Sequence, residues 1–158
     1  PRRLPLLAAT IVIVAGLHRA GLVHRDLKPE NVLVRDDRPV ILDFGISSLR
    51  GVVEAMPGMG TAKYLAPEVT DLSLRSGEAA FGAEDIFALG RMAEEIWSLV
   101  APPAPARGWL QKAKDPNQDI VDLIAAMTDR RPERRPRDLA ATAETFRAAA
   151  ARLGPRPE

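Results

Sequence analysis

The chain has 158 residues, 46% hydrophobic and 27% charged, enough for one domain with a sizeable core and short for two. Its formal net charge of +1 gives no global field that would favour nucleic acid or an anionic membrane. With no cysteine, disulfides, zinc–thiolate sites and thiol nucleophiles are excluded, and a cytoplasmic setting is expected.

Arg2 and Arg3 precede an apolar stretch from Leu4 to Leu17 that superficially mimics the front of a secretory signal. The stretch is shorter than the roughly 20 apolar residues a bilayer span needs. No small-residue cleavage site follows, because the chain runs into His18-Arg19 and then His24-Arg25-Asp26. The reading is a helix over 5–20, apolar all round and therefore buried, ended by Gly21. The first residue is proline rather than methionine, so the chain is expected to be part of a longer product.

A polar loop containing Pro29 comes next. The runs Asn31-Val32-Leu33-Val34 and Pro39-Val40-Ile41-Leu42, separated by Arg-Asp-Asp-Arg, predict a small hairpin. Residues 44–60, rich in Gly and Ser, read as irregular. Ile86, Leu89, Ala93, Ile96 and Val100 recur at three- and four-residue steps and predict a helix over 84–100. Residues 101–117 carry four prolines and read as loop, with further helices expected over 118–128 and 138–152. There is no internal repeat. The expected class is α+β, predominantly helical, in a single domain over 1–158.

The chemically informative segment is His24-Arg25-Asp26-Leu27-Lys28-Pro29-Glu30-Asn31, followed twelve residues after Asn31 by Asp43-Phe44-Gly45. A short hairpin between them would bring two acids, a lysine and an asparagine together. Asp and Asn oxygens suit a hard cation such as Mg²⁺, and a nearby lysine can meet phosphate oxygens. A second Asp held off the metal could accept a proton from an attacking hydroxyl. That inventory fits metal-dependent phosphoryl transfer; taken singly, each residue also fits a solvated turn.

Together these residues resemble the protein kinases. His24 to Asn31 is similar to the kinase catalytic loop without departure, and Asp43-Phe44-Gly45 to the metal-binding element. Gly60 to Glu68 resembles the end of the activation segment, closing on Ala66-Pro67-Glu68. Asp85 to Gly90 resembles the start of the central helix of the C-terminal lobe, and Pro132 to Arg135 the late Pro-x-x-Arg. In order, the elements span residues 17–136.

The resemblance implies roles. Asp26 orients the substrate hydroxyl and accepts its proton, and Lys28 neutralises charge on the moving phosphoryl group. Asn31 and Asp43 hold Mg²⁺ (or Mn²⁺). Lys28, Glu30, Asn31, Leu33 and Asp43 meet ATP, with Leu33 as floor under the adenine and Glu30 towards the substrate side. Thr61 bridges Asp26 and Lys28 and, with Lys28 itself, points to the serine/threonine class. His24 and Phe44 stack structurally, Asp85 is structural, and Glu68 pairs with Arg135. Arg25 is the residue that in many kinases pairs with a phosphorylated loop residue. Here 49–60 contains no Ser, Thr or Tyr, and Glu54 is the only acid between Asp43 and Glu68. Glu54 could supply that charge permanently, or be solvated while Arg25 meets backbone or nothing.

His18 is expected to pack at its helix end, Trp97 and Trp109 to pack in the core or a groove, and the arginines from Arg130 to Arg137 to form a solvated loop around one structural member. No nucleic-acid partner and no membrane segment are expected. The 23 residues before His24 hold no lysine and no Gly-x-Gly, so the kinase small lobe is expected to be absent and the chain a fragment with little turnover alone. The leading reading is a serine/threonine protein kinase lobe, its composition suggesting a bacterial source, with a protein Ser/Thr substrate. The rivals are a pseudokinase-like binding scaffold and a kinase-fold small-molecule phosphotransferase, the latter disfavoured by Thr61 and the Ala-Pro-Glu segment.

Overall fold

The computed structural model describes residues 2–43, 48–49, 62–74, 81–102 and 117–154. Helix α1 covers Arg3–Arg19 and buries Leu4, Leu7, Ala8, Thr10, Ile11 and Val14 at helical spacing. Pro5 falls in the first turn, where a missing N–H costs nothing. The Ala20 and Gly21 N–H groups bond back to the Gly16 and His18 carbonyls, and Gly21 takes φ +79°. That left-handed angle is why a glycine ends this helix. Burial is less complete than the apolar sequence suggests. Val12 is 39% exposed, because the helices and strand packed on α1 cover its other sides.

Strand β1 (Leu22–Val23) leads into the loop and a single 3₁₀ turn at Pro29–Asn31. Strands β2 (Val32–Arg35) and β3 (Arg38–Ile41) form the expected hairpin, with Val32 opposite Ile41 and Arg35 opposite Arg38. Its two-residue turn, Asp36-Asp37, has φ of +50° and +58°, a mirror-image turn whose twist suits paired strands. Pro39 and Ile41 point inward, leaving Leu33, Val40 and Leu42 exposed. Strand β4 (Ser48–Leu49) pairs antiparallel with β1, a second two-stranded sheet that the sequence reading did not foresee.

After the short helix α2 (Pro67–Thr70) comes α3 (Ala83–Val100), which buries Ile86, Leu89, Met92 and Ala93. A Cβ at Gly90 would lie 2.8 Å from both Met127 Cβ and Thr128 Cγ2, so this glycine sets how closely α4 (Gln118–Met127) approaches. Helix α5 (Leu139–Leu153) is capped by Asp138, whose carboxylate accepts from the Ala141 N–H at 2.9 Å. Its small residues Ala143 and Ala149 flank a fully buried Phe146 and let α5 lie along α1. The four expected helices are present within two residues of their sequence bounds. Among the described residues no helix is long and apolar enough to cross a membrane.

Candidate active site

The loop between β1 and the hairpin is held from behind by one buried carboxylate. Asp85, in the first turn of α3, is 1% exposed. Its Oδ2 accepts from the His24 N–H at 2.9 Å and its Oδ1 from the Arg25 N–H at 2.8 Å. His18 Nε2 at the end of α1 donates to Oδ2 at 2.8 Å, and the His18 ring meets Phe81 edge-on at 5.9 Å. Three donors thus satisfy a charge that would be prohibitive to bury alone. Gly82 caps α3 with φ +74°, and a Cβ there would fall 2.4 Å from His18 Cε1. His18 is therefore more than helix-end packing.

His24 is buried and hydrogen-bonded at both ring nitrogens. The Asp26 N–H donates to Nδ1 at 3.3 Å, which leaves Nε2 to donate to the Leu42 carbonyl at 3.0 Å. That pattern assigns the neutral Nε2–H tautomer. It also ties the loop to the end of β3. The Leu42 N–H in turn donates to the Asn31 carbonyl at 2.8 Å, which continues the hairpin register by one pair and sets Leu42 opposite Asn31, with Asp43 the next residue.

Within the loop, Lys28 Nζ donates to Asp26 Oδ2 at 2.8 Å. Asn31 Nδ2 donates to the same oxygen at 3.1 Å and to the Asp26 carbonyl at 2.8 Å. Both side-chain donors fall on Oδ2. The bond to Asp26 raises the Lys28 pKa above 10.5; partial desolvation opposes this, and the charges of Asp26, Glu30 and Asp43 add to it. Lys28 therefore stays cationic among three carboxylates. Because its nitrogen serves Asp26, Asn31 offers its carbonyl oxygen to a cation, and Asp43 is an exposed carboxylate held at φ +59°. Two oxygen donors of this kind suit Mg²⁺, which keeps most of its shell for water and phosphate oxygens.

Glu30 is exposed, and Leu33 is 51% exposed on the outer face of the hairpin. Phe44, Thr61, Glu54 and Trp109 lie outside the described residues. Glu68 and Arg135 form a two-pronged pair, Nη1–Oε1 at 2.5 Å and Nη2–Oε2 at 2.7 Å. Arg135 also donates to the Ala83 and Asp129 carbonyls and lies 5.0 Å over the Phe87 ring. Of the arginines between 130 and 137 it alone is buried.

Two acids escaped the sequence reading. Glu84, next to Asp85, accepts from Arg25 Nε at 3.1 Å, so Arg25 meets neither backbone alone nor nothing. Glu95 on α3 accepts from Lys63 Nζ at 2.8 Å and Tyr64 OH at 2.7 Å, fixing the stretch before Ala66-Pro67-Glu68. Burial and that bond to Glu95 raise the Tyr64 pKa, so the phenol stays protonated. Both acids sit on the polar side of a helix whose apolar periodicity was plain, and periodicity says nothing of what a polar side touches.

The described frame is that of a mainly helical domain presenting an acidic, lysine-bearing loop beside a hairpin. The protein kinase domain model matches residues 6–146, and the chain belongs to that family, in its eukaryotic-type serine/threonine branch. It is 33% identical to the probable serine/threonine-protein kinase pknA2 of Bifidobacterium longum, over 95% of this chain and 22% of that protein. It is 42% identical to the serine/threonine-protein kinase AfsK of Streptomyces coelicolor over 55% of this chain and 11% of that one. Identity to the probable serine/threonine-protein kinase PkwA of Thermomonospora curvata is 32%, over 83% and 19% of the two chains. The chain thus spans between 11% and 22% of the length of these curated relatives.

Proposed function

We propose that residues 1–158 form the C-terminal lobe of a serine/threonine protein kinase, a single domain that transfers the γ-phosphoryl group of ATP to a protein hydroxyl. The observation that carries this reading is the Asp26 carboxylate. Lys28 and Asn31 both occupy Oδ2, which leaves Oδ1 to accept from a substrate hydroxyl. As the hydroxyl oxygen bonds to the γ-phosphorus, its proton passes to Asp26, the bond from that phosphorus to the β-phosphate oxygen breaks, and ADP leaves.

Lys28 lies beside this oxygen with its charge intact, suited to the phosphoryl oxygens in flight. Asn31 and Asp43 would hold the divalent cation. A divalent cation held there would supply positive charge to offset that of the phosphates. Leu33 offers an apolar surface for adenine and Glu30 lies on the substrate side of the loop, while the kinase resemblance gives Thr61 the role of bridging Asp26 and Lys28. The segment from Ala62 to Glu68, tied to α3 through Lys63, Tyr64 and Glu95, supports a peptide substrate over a sugar. The proposed setting is the cytoplasm, where ATP is available.

Calorimetric titration with ATP, with and without Mg²⁺, tests the reading. Weak, Mg²⁺-dependent binding that is lost in Asn31→Ala and Asp43→Ala is expected. Nucleotide binding indifferent to both substitutions, or none at any concentration, would point to a binding scaffold instead.

A further inference from the structure

Arg25 carries an unusual load for the residue directly before Asp26. Its φ is +71°, a region that side-chain-bearing residues seldom occupy. Its N–H donates to Asp85 Oδ1 at 2.8 Å and its guanidinium Nε to Glu84 Oε1 at 3.1 Å. Two consecutive residues in the first turn of α3 therefore grip the backbone and the side chain of one strained residue. The grip is mostly out of solvent, with the Glu84 side chain 23% exposed.

The fold gains little from having an acid there. Burial raises the Glu84 pKa above its ordinary 4.5; Asp85 beside it and Glu68 on α2 add to the rise, and Arg25 opposes it. Glu68 is itself paired with Arg135, and Asp85 with His18 from α1. A raised folded pKa means that the stabilising contribution is complete below the unfolded value and is lost as pH rises through the folded one. At neutral pH, then, ionised Glu84 lowers stability on balance. Acids kept where folding would favour a neutral group are candidates for a functional role.

We propose that Glu84 is a positioning residue for the catalytic loop: its carboxylate fixes the Arg25 guanidinium, and through it the strained backbone that aims Asp26. This rests on the phosphotransfer reading. The device is local and permanent, since one helix turn supplies both the backbone anchor (Asp85) and the side-chain anchor (Glu84). A misplacement of about 1 Å at such a loop can lower a rate on the order of a hundredfold. Exchanging the charge for a neutral acceptor of the same shape is expected to have a smaller effect, about tenfold.

The test is Glu84→Gln beside Asp26→Asn, measured in the natural protein that carries these residues. Melting temperature at pH 7 should rise in Glu84→Gln, and its lead over the parent should close as the pH is lowered and Glu84 takes up a proton. The same variant should lose about tenfold in kcat while KM for ATP holds. An ordinary structural ion pair predicts the opposite for melting: Glu84→Gln less stable at pH 7. That outcome overturns the proposal, as does an unchanged kcat in Glu84→Gln when Asp26→Asn is inactive. Activity surviving in Asp26→Asn overturns the phosphotransfer reading first and this proposal with it.

Discussion

Two ion pairs of this chain are similar in length and opposite in kind. Arg135 and Glu68 meet at 2.5 Å with side chains 0% and 7% exposed. Lys28 and Asp26 meet at 2.8 Å with side chains 22% and 15% exposed. The first pair is saturated: Arg135 also serves the Ala83 and Asp129 carbonyls, drawing α2, α3 and the segment after α4 together. The second is arranged around one oxygen of Asp26, leaving the other outside both bonds. A completed pair can only hold; a pair with an oxygen in reserve can do chemistry.

Breaking the first pair should have the largest effect on the fold. Arg135→Ala leaves Glu68 buried without its counter-charge, a loss of about 3–5 kcal/mol, to be read by denaturant unfolding. That is a large share of the roughly 5–15 kcal/mol that holds a domain together. A cost below about 1 kcal/mol would mean that water reaches Glu68 and that the pair is less enclosed than its geometry indicates.

The second pair should respond in the opposite way. Asp26→Asn should slow phosphotransfer by roughly 10²–10⁴ while costing less stability than Arg135→Ala, since an asparagine oxygen can still accept from Lys28 and Asn31. Parallel rate assays and melts separate the two. Loss of fold in Asp26→Asn would place Asp26 with Arg135 as a structural residue.

Between the two pairs lies the Asp85 anchor, and Gly82 is the residue that lets His18 reach it. Gly82→Ala adds a Cβ 2.4 Å from the His18 ring at a backbone φ of +74°. Left-handed strain and displacement of the ring together should cost about 1–3 kcal/mol. If the melt of Gly82→Ala matches the parent, the His18–Asp85 contact is dispensable.

What the sequence made legible follows from what repeats in it. Helices α1, α3, α4 and α5 announced themselves by apolar spacing, and the β2–β3 hairpin by β-branched runs around Asp36-Asp37. The β1–β4 pairing was not legible, because two-residue strands carry no alternation to read. The loop residues Asp26, Lys28 and Asn31 stood out as a pattern, and the structure shows how they meet. The anchoring of that loop was hidden. Asp85 stood out as a helix start, but its three hydrogen bonds reach 60 to 67 residues back along the chain. Glu84 and Glu95 belong to no motif in the sequence. Only the packing of α3 against the loop and against Lys63-Tyr64 gives them partners.

The smallest expected effect sharpens the contrast between completed and open charges at a third site. Glu95 takes hydrogen bonds from Lys63 and Tyr64, with its side chain about one-third exposed. The Lys63 bond, chiefly, lowers the Glu95 pKa below its ordinary 4.5, with partial burial opposing and Tyr64 assisting. For an acid whose folded pKa is depressed, the stabilising contribution is present above the unfolded value and is lost as pH falls through the folded one. Lys63→Met should therefore melt slightly below the parent at pH 7, by less than about 1 kcal/mol because solvent screens the pair. The gap should close on acidification, once Glu95 is protonated in both proteins. Unlike Arg135→Ala, this variant should also lose its deficit in high salt, which screens a half-open pair and leaves an enclosed one largely intact. A deficit that persists unchanged at low pH and in high salt would assign Lys63 an apolar packing role, its stem lying along the Tyr64 ring, and remove Glu95 from the set of charges that hold this segment.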